Sequence, residues 1–186
     1  MAAGGTKANV DLGPGRLYYA PLGTAEPASG SAVLPSAWQV VGYTEDGTQI
    51  STDITSEAIE VAEELDPIRY IQTRRTTQLT LSMAETMVSR LALAVGAGAG
   101  RADTATAFEL PAPDSIVPVM FVWDRDETPS ATNRRWIFRS CVPSGTIELA
   151  NRKAPQKRLI GVTFDCALVD GSTSPVKVFP NATGQI

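Results

Sequence analysis

The stretch Gln72-Thr73-Arg74-Arg75-Thr76-Thr77-Gln78 decides the fold, because it places seven polar residues in a row inside a β-rich segment. That segment covers residues 68–83 and follows an acidic turn at residues 63–67. An ordinary half-buried strand alternates apolar and polar side chains. Seven polar residues in succession offer no apolar face to the core of a monomer. We therefore expect something outside the subunit to complete this strand, which indicates an assembly protein rather than an enzyme.

The length of the same segment predicts that it projects from the subunit. Fully extended, residues 68–83 would span about 53 Å, whereas a compact chain of this size is about 40 Å across. A projecting hairpin has unpaired edges that invite further strand pairing unless a partner covers them. We expect a protruding, partner-bound hairpin, and the alternative is a twisted, solvent-facing hairpin on a lone β-sandwich.

The arm before the acidic turn changes face part-way along. Ile50 and Ile54 occupy even positions, whereas Ile59 and Val61 occupy odd ones. Because side chains in a strand alternate with period two, this change predicts a bulge or bend at residues 56–58.

A short helix is predicted directly after the hairpin, at residues 84–95. Ser82 and Glu85 have the spacing of a capping box, with Ser82 as N-cap and Glu85 at position N3. Gly96 stands where a helix end favours a residue that adopts positive φ.

The whole chain, residues 1–186, reads as one domain, with a flexible arm at 1–15, a β-barrel core at 16–170 and a Gly/Ser/Pro tail at 171–186. Turns are predicted at residues 44–47 and 143–145. The other predicted strands cover residues 16–20, 38–43, 117–123, 133–142, 146–150 and 157–169. The fold class that follows is mainly β: a β-sandwich or barrel with one flanking α-helix and a long protruding β-hairpin.

Composition describes a globular chain, with 43 % hydrophobic and 19 % charged residues and a net charge of −4. An acidic chain binds the phosphate backbone of nucleic acids poorly. No apolar run is long enough for a membrane span, and the first residues lack the apolar core of a signal peptide. We expect a cytoplasmic origin and no membrane partner.

The residues needed for most enzymatic sites are missing. The chain contains no histidine, which excludes His-based triads and leaves Cys141 and Cys166 too few ligands for zinc. Asp124, Asp126 and Glu127 favour a polar turn over a calcium site. We expect no catalysis, no cofactor and no metal. The two cysteines are expected to be free thiols, a disulfide being the alternative.

Several short motifs, taken in order, resemble one family. They are Gly15-Arg16-Leu17-Tyr18-Tyr19-Ala20-Pro21-Leu22-Gly23-Thr24, Leu34-Pro35-Ser36-Ala37-Trp38, Gly42-Tyr43-Thr44-Glu45-Asp46-Gly47, Met83-Ala84-Glu85 and Ala94-Val95-Gly96. Together they resemble the tail tube (major tail) proteins of long-tailed, non-contractile bacteriophages (siphoviruses), especially of phages that infect actinobacteria. The resemblance covers most of residues 15–170.

This resemblance implies a structural virion protein that self-assembles into hexameric rings. The rings would stack into a hollow tail tube through which genomic DNA passes during ejection. Each subunit would add strands to a continuous inner β-barrel, and a long hairpin would reach the neighbouring ring. The implied partners are the chain itself and other tail proteins, such as the tape measure and terminator proteins. The implied location is the virion tail, with assembly in the host cytoplasm.

The resemblance also implies roles for two groups of residues. The candidates for the lumen wall, whose alternative is a plain solvent-facing surface, are Asp53, Thr55, Glu57, Thr76, Gln78 and Thr80. The candidates for ring-to-ring contact, beside the arm before Arg16, are Glu63, Glu64, Asp66 and Arg69. Six copies at −4 each would give a ring of −24, which repels the phosphates of passing DNA.

Two alternative functions remain open from the sequence. A related tail-terminator or head–tail joining protein would form a single ring instead of a tube. A monomeric β-sandwich binding module for carbohydrate would need an exposed tryptophan platform, but Trp38, Trp123 and Trp136 all lie in apolar-rich strands.

Overall fold

A computed structural model describes residues 15–62, 65–100, 107–125, 133–150, 156–181, 184 and 186. In chain order, its elements are β1 (Arg16–Pro21), β2 (Gln39–Val40), β3 (Thr44–Ile59), β4 (Arg69–Met83), α1 (Val88–Ala94), β5 (Val119–Asp124), β6 (Arg135–Ala150), β7 (Leu159–Cys166) and β8 (Val176–Phe179). The fold is mainly β with one helix and a long hairpin, as the sequence predicts. Within the described ranges, no helix is long and apolar enough to cross a membrane.

All eight strands belong to one antiparallel sheet with the order β2-β1-β5-β6-β7-β4-β3. Strand β8 lies off this path and pairs with the first part of β6. One edge of β6 therefore carries β5, and its other edge carries β8 and then β7. The long strand β6 links the two halves of the sheet.

The main core covers one face of the sheet and receives residues from both of its halves. Phe121 of β5 and Phe164 of β7 meet there with ring centroids 4.8 Å apart. Leu17 of β1, Leu79 of β4 and Leu93 of α1 belong to the same buried cluster. Because strands far apart in the sheet order share this cluster, the sheet wraps around a common core.

A smaller cluster lies apart from the main one and is covered by the loop that precedes β2. It contains Trp38, Met120 and Ile137, all buried. Trp123 and Trp136 are partly buried against the main core. The three tryptophans therefore form no exposed platform, which agrees with the interpretation of the sequence.

The start of the helix was predicted wrongly. The sequence predicts a helix over residues 84–95 with Ser82 as its N-cap, but α1 begins after Met87, and no side chain caps it. Ser82 is still part of β4. Glu85 accepts a hydrogen bond from the backbone N–H of Tyr43 at 3.3 Å instead of closing a capping box. The capping-box pattern of residues 82–85 lies at the end of a strand, so it predicts a helix start that is too early.

The end of the helix agrees with the sequence. Gly96 has a φ of +78°, the left-handed conformation that favours glycine. Its N–H donates to the carbonyl of Leu93 at 3.3 Å, and the N–H of Ala97 donates to the carbonyl of Ala92 at 2.8 Å. These two bonds form a Schellman motif, which satisfies the last carbonyls of α1.

The turn predicted at residues 143–145 is also wrong, because β6 continues through it. Ser144 lies opposite Thr163 and Glu148 lies opposite Gly161, so three residues of β6 face one residue of β7. This is a bulge within one strand. Proline and glycine suit bulges as well as turns, so their presence alone does not separate the two.

The start of β3 also differs from the prediction. The strand predicted over residues 38–43 shrinks to β2, and Gly42 ends this segment with a φ of +95°. The turn predicted at residues 44–47 lies inside β3, where residues 45–47 stand opposite Ser82 alone. The chain enters the long hairpin through this irregularity.

The segment predicted as a tail with little to bury contains β8. Arg135 lies opposite Phe179 and Phe138 lies opposite Val176 in the β6–β8 ladder. Phe179 packs against the smaller core cluster. Four residues are too few for a clear periodic pattern, so the strand was missed within residues 171–186.

Candidate functional site

The long hairpin extends beyond the rest of the sheet as a ribbon of two strands. Strand β4 pairs with β7 only from Thr77 to Met83. Residues 53–59 of β3 and 69–76 of β4, which we call the ribbon, therefore pair only with each other in the described chain. At the usual rise per residue the ribbon is about 25 Å long. The predicted protrusion is confirmed, and its outer edges have free backbone groups.

One bulge interrupts the ribbon. Thr55 lies opposite Arg74 and Ser56 lies opposite Gln72, which leaves Thr73 as the extra residue. The bend predicted from the change of apolar face is at this point of the hairpin, but its extra residue is on β4 rather than β3. Such a bulge increases local twist and turns the outer part of the ribbon relative to the sheet.

The six residues predicted for the lumen wall lie on one face of β3 and β4. Asp53 stands opposite Thr76, and cross-strand partners project to the same side of a sheet. Gln78 continues this face and donates a hydrogen bond to Asp165 of β7 at 2.8 Å. The same face also carries Thr55, Glu57 and Thr80, because side chains alternate along a strand with period two.

Hydrogen bonds between side chains extend this polar face across the sheet. The hydroxyl groups of Thr80 and Thr163 lie 3.0 Å apart, on β4 and β7. The opposite face of the same strands carries Leu79 and Leu81, which are buried in the main core. We call the side that carries Asp53, Thr76, Gln78, Thr80 and Thr163 the polar face.

A shallow groove of about 230 Å³ runs along this polar face, and its lining residues are Asp53, Thr55, Arg74, Thr76 and Gln78. The Nε of Arg74 donates to the hydroxyl of Thr76 at 3.2 Å. The carboxylate, guanidinium, hydroxyl and amide groups of this groove can form hydrogen bonds and ion pairs with a molecule that contacts the polar face. In the described part of the chain, no group of three or more acidic or cysteine side chains is arranged to hold a metal.

Apolar residues at the tip of the hairpin were missed by the reasoning from sequence, which singled out charges there. Leu65 is fully exposed, Ile68 is 61 % exposed and Tyr70 is 67 % exposed. Ile59 and Ile71, which lie on the side of the polar face, are also exposed. The sequence does contain a signal for this apolar surface, because Ile59 and Ile68 lie on either side of the acidic turn. We call these five residues the apolar tip.

The structure describes two of the four residues that were predicted for ring-to-ring contact. Asp66 and Arg69 are both exposed near the end of the hairpin. Glu63 and Glu64 lie outside the described residues, as does the arm before Gly15.

Two arginines of β6 hold the loop between β1 and β2 against the sheet, away from the ribbon. Arg135, fully buried, forms two hydrogen bonds with the carboxylate of Asp124. Arg139 contacts Glu26 with two nitrogen atoms, and this contact holds the pKa of Glu26 below its ordinary value. Nothing in the sequence pattern distinguished these arginines from surface residues.

Hydrogen bonds within the loop after β7 lower the pKa of a carboxyl group. The hydroxyl and the backbone N–H of Thr173 donate to Asp170, as do the same two groups of Ser172. These bonds favour the ionised form and hold the pKa of Asp170 well below its usual range. The carboxylate of Asp170 therefore holds the turn of residues 170–173 in place.

The projecting ribbon, its polar face and the mainly β sheet agree with the family resemblance of the sequence. The sequence model described as "Phage tail tube protein" matches residues 4–173. The chain belongs to the phage tail tube protein family. The tail tube protein is therefore a structural component of the virion tail and not an enzyme, as predicted. Membership implies assembly with itself and with other tail components.

The fold of the tail tube protein is similar to that of a solved tail-like assembly. A chain in the cryo-EM structure of the anti-feeding prophage (AFP) baseplate, 6-fold symmetrised, matches with a TM-score of 0.52 and 9 % sequence identity. The match covers 93 % of this chain and 97 % of that chain. No curated protein matches the tail tube protein.

Proposed function

We propose that this tail tube protein forms hexameric rings that stack into a hollow tube, through which the phage genome passes during ejection. The observation that carries the proposal is the ribbon, whose edges have no partner within the described chain. A monomer would leave these edges open to aggregation. Copies of the same chain would cover them.

Two free edges of the sheet suit each other for ring formation. One is the outer edge of β3, and the other is the edge of β6 after Cys141, where its pairing with β5 ends. Between these edges the strands β6, β7, β4 and β3 alternate in direction. If β6 of the next copy follows β3, the alternation continues unbroken. A ring closed in this way covers the outer edge of β3 and the edge of β6 after Cys141.

The size of such a barrel fits the passage of DNA. Four strands from each of six copies make 24 strands, about 48 Å across between backbones at a strand tilt of about 40°. Side chains would narrow this by about 10 Å. Half that number of copies would give a barrel about half as wide. The six-fold symmetry of the AFP baseplate structure agrees with six copies.

The polar face would line the bore in this arrangement, since its opposite face is the buried core. Asp53 and Glu57 would then point toward the DNA, beside the uncharged Thr76, Gln78 and Thr80. A wall with few cations and a negative ring charge releases few counterions from DNA and therefore does not hold it. Other tail proteins, such as the tape measure and terminator proteins, would be partners of this tail tube protein in the assembled tail.

The apolar tip would contact the neighbouring ring. The ribbon extends about 25 Å from the sheet, which is enough to reach beyond one subunit. Asp66 and Arg69 are exposed beside it, and Glu63 and Glu64 would add charge to the same contact. Burial of the apolar side chains would supply the free energy of stacking, and the charges would set its register.

Hydrogen exchange before and after assembly tests the proposed ring edges. The amides of β3 that point away from β4, and those of residues 142–149 that point away from β7, should exchange rapidly in free subunits and become protected in the assembly. The amides of β5 and β7, which lie inside the sheet, serve as the internal control and should be protected in both states. Protection of the β3 edge already in a free monomer would contradict the proposal.

Charge reversal inside the bore tests the passage of DNA. The double variant Asp53→Lys/Glu57→Lys changes the net charge of each copy from −4 to zero. We expect tubes to form and ejection to slow at low salt, with recovery as salt rises. The control Glu109→Lys/Asp114→Lys makes the same change in the exposed segment before β5. Equal slowing in both variants would contradict a lumen position for the polar face.

A further inference from the structure

Cys141 on β6 and Cys166 on β7 lie opposite each other in the sheet. Both are free thiols, and their Sγ atoms are 3.3 Å apart. The N–H of Ala167 donates to the carbonyl of Ser140 at 2.7 Å, so the hydrogen bond lies beside the cysteine pair instead of joining the two cysteines. They therefore occupy a non-hydrogen-bonded position, where opposite Cα atoms approach to about 4.5 Å.

This position has the geometry that a disulfide requires. A disulfide joins Cα atoms that are about 4.4 to 6.8 Å apart. Both side chains point to the core side of the sheet, where Cys141 belongs to the main buried cluster and Cys166 packs against it. The ladder between β6 and β7 begins at this pair, and β5 and β4 flank the two strands on their outer edges. Bond formation would need a side-chain rotation and no movement of the strands.

The two thiols differ in their access to solvent. Cys141 is fully buried, and burial raises the pKa of its thiol. Cys166 is only partly buried, at the end of β7 where the chain leaves the sheet. An oxidant from solution therefore meets Cys166 first, and Cys141 reacts second.

We propose that Cys141 and Cys166 form a disulfide once the virion has left the reducing interior of the host cell, and that this bond locks β6 to β7 in the finished tail. The cytosol keeps thiols reduced, whereas the external medium is oxidising. The proposal rests only on the location of the protein in the virion tail. It does not depend on the number of subunits in a ring.

The oxidant is a low-molecular-weight disulfide such as oxidised glutathione. The Cys166 thiolate attacks one sulfur of this disulfide, forms a mixed disulfide and releases one glutathione thiolate. The Cys141 thiolate then attacks Sγ of Cys166, forms the protein disulfide and releases the second glutathione thiolate. The two protons lost by the cysteines end on the two glutathione molecules, so the protein is oxidised by two electrons and the glutathione disulfide is reduced.

The bond would stabilise the part of the sheet that lies next to the ribbon. It joins residues that are 25 apart in the chain, and such a closure limits the freedom of the unfolded chain. We expect the Tm of the oxidised protein to exceed that of the reduced protein by about 6 to 12 °C.

Thiol counting on the native protein tests the proposal directly. Purified protein is incubated with oxidised glutathione and then freed of excess glutathione. It is unfolded in guanidinium chloride that contains excess iodoacetamide at mildly alkaline pH, where free thiols react as thiolates, and is measured by mass spectrometry. We expect no alkylated cysteine, a mass lower by two hydrogen atoms and a peptide that links the two cysteines. Two alkylated cysteines after oxidation, or disulfides between subunits, would overturn the proposal.

Single variants test the order of attack. In Cys141→Ala, the remaining Cys166 should stop at the mixed disulfide and retain glutathione. In Cys166→Ala, the buried Cys141 should remain a free thiol under the same conditions. The reverse pattern would overturn the proposed sequence of steps. Because the thiol count is made on the natural protein, the test survives even if one variant fails to fold.

Discussion

The guanidinium group of Arg135 donates two hydrogen bonds to the carboxylate of Asp124, at 2.6 and 2.8 Å, from the neighbouring strand of the sheet. Its remaining nitrogen donates to the carbonyl groups of Ser29 and Ala32, each at 2.8 Å. The side chain of Arg135 is fully buried. One buried cation thus fastens the loop before β2 to the central strands.

Removal of this cation should destabilise the subunit strongly. Arg135→Ala leaves Asp124 buried without its partner, and we expect a loss of about 3 to 5 kcal/mol in the free energy of unfolding. Urea denaturation followed by circular dichroism measures it. The matched control is Lys157→Ala, which breaks an exposed ion pair with Glu45 and should cost less than about 1 kcal/mol. Equal losses in the two variants would show that the buried pair has no special role.

The end of α1 should tolerate only glycine. In Gly96→Ala, the new Cβ would lie 2.9 Å from the side chain of Ile116 and 3.1 Å from that of Pro143, at a φ of +78°. We expect a loss of at least about 1 to 2 kcal/mol in the free energy of unfolding, because a non-glycine residue is strained at positive φ. Gly161→Ala is the control, since its Cβ would meet no atom within 4 Å. A neutral Gly96→Ala would contradict the described helix end.

The exposed apolar side chains of the ribbon should matter for assembly and not for folding. In the double variant Ile59→Ser/Ile71→Ser, we expect the free energy of unfolding of the subunit to change by less than about 1 kcal/mol. Polymer formation, measured by sedimentation, should fall sharply because the ring-to-ring contact loses apolar area. Leu110→Ser removes another exposed apolar side chain, outside the ribbon, and should leave assembly intact. Normal sedimentation of the double variant would count against the proposed contact.

The ion pair of Glu26 should make part of the stability depend on pH. The hydrogen bond from Arg139 lowers the pKa of Glu26 below its ordinary value of 4.5. A lowered folded pKa stabilises the folded state above the unfolded pKa, and this contribution disappears as pH falls through the folded pKa. We therefore expect Glu26→Gln to be destabilising at neutral pH and progressively less so below about pH 4.5.

Thermal unfolding of the natural protein and of Glu26→Gln, measured across this pH range, checks the prediction. In the background of Arg139→Gln, the same substitution should lose most of its pH dependence, because the hydrogen bond that lowers the pKa is gone. A pH dependence that persists in this background would assign the effect to another group.

The hairpin could be predicted from sequence because its signal was strong. Seven polar residues in a row within a segment longer than the subunit are compatible with few arrangements. The alternation of Leu79, Leu81 and Met83 also placed Thr76, Gln78 and Thr80 together on the other face. The structure confirms this separation of faces along β4.

Other parts of the fold depend on contacts that no local pattern contains. Proline and glycine at residues 143–145 predict a turn, and only the pairing with β7 shows that β6 continues as a bulged strand. Ser82 has the sequence of a helix cap but is held in β4 by its neighbours. The partners of Arg135 come from residues more than 100 positions away as well as from the next strand. Tertiary context decided each of these cases.

The central claim is that the subunit is completed by copies of itself, and electron microscopy of the purified protein tests it most directly. Negative-stain images at increasing protein concentration should show extended tubes of constant diameter with a stain-filled bore. Isolated single rings would favour a terminator or joining role over a tube. Particles that remain monomeric at high concentration, confirmed by sedimentation, would contradict the account.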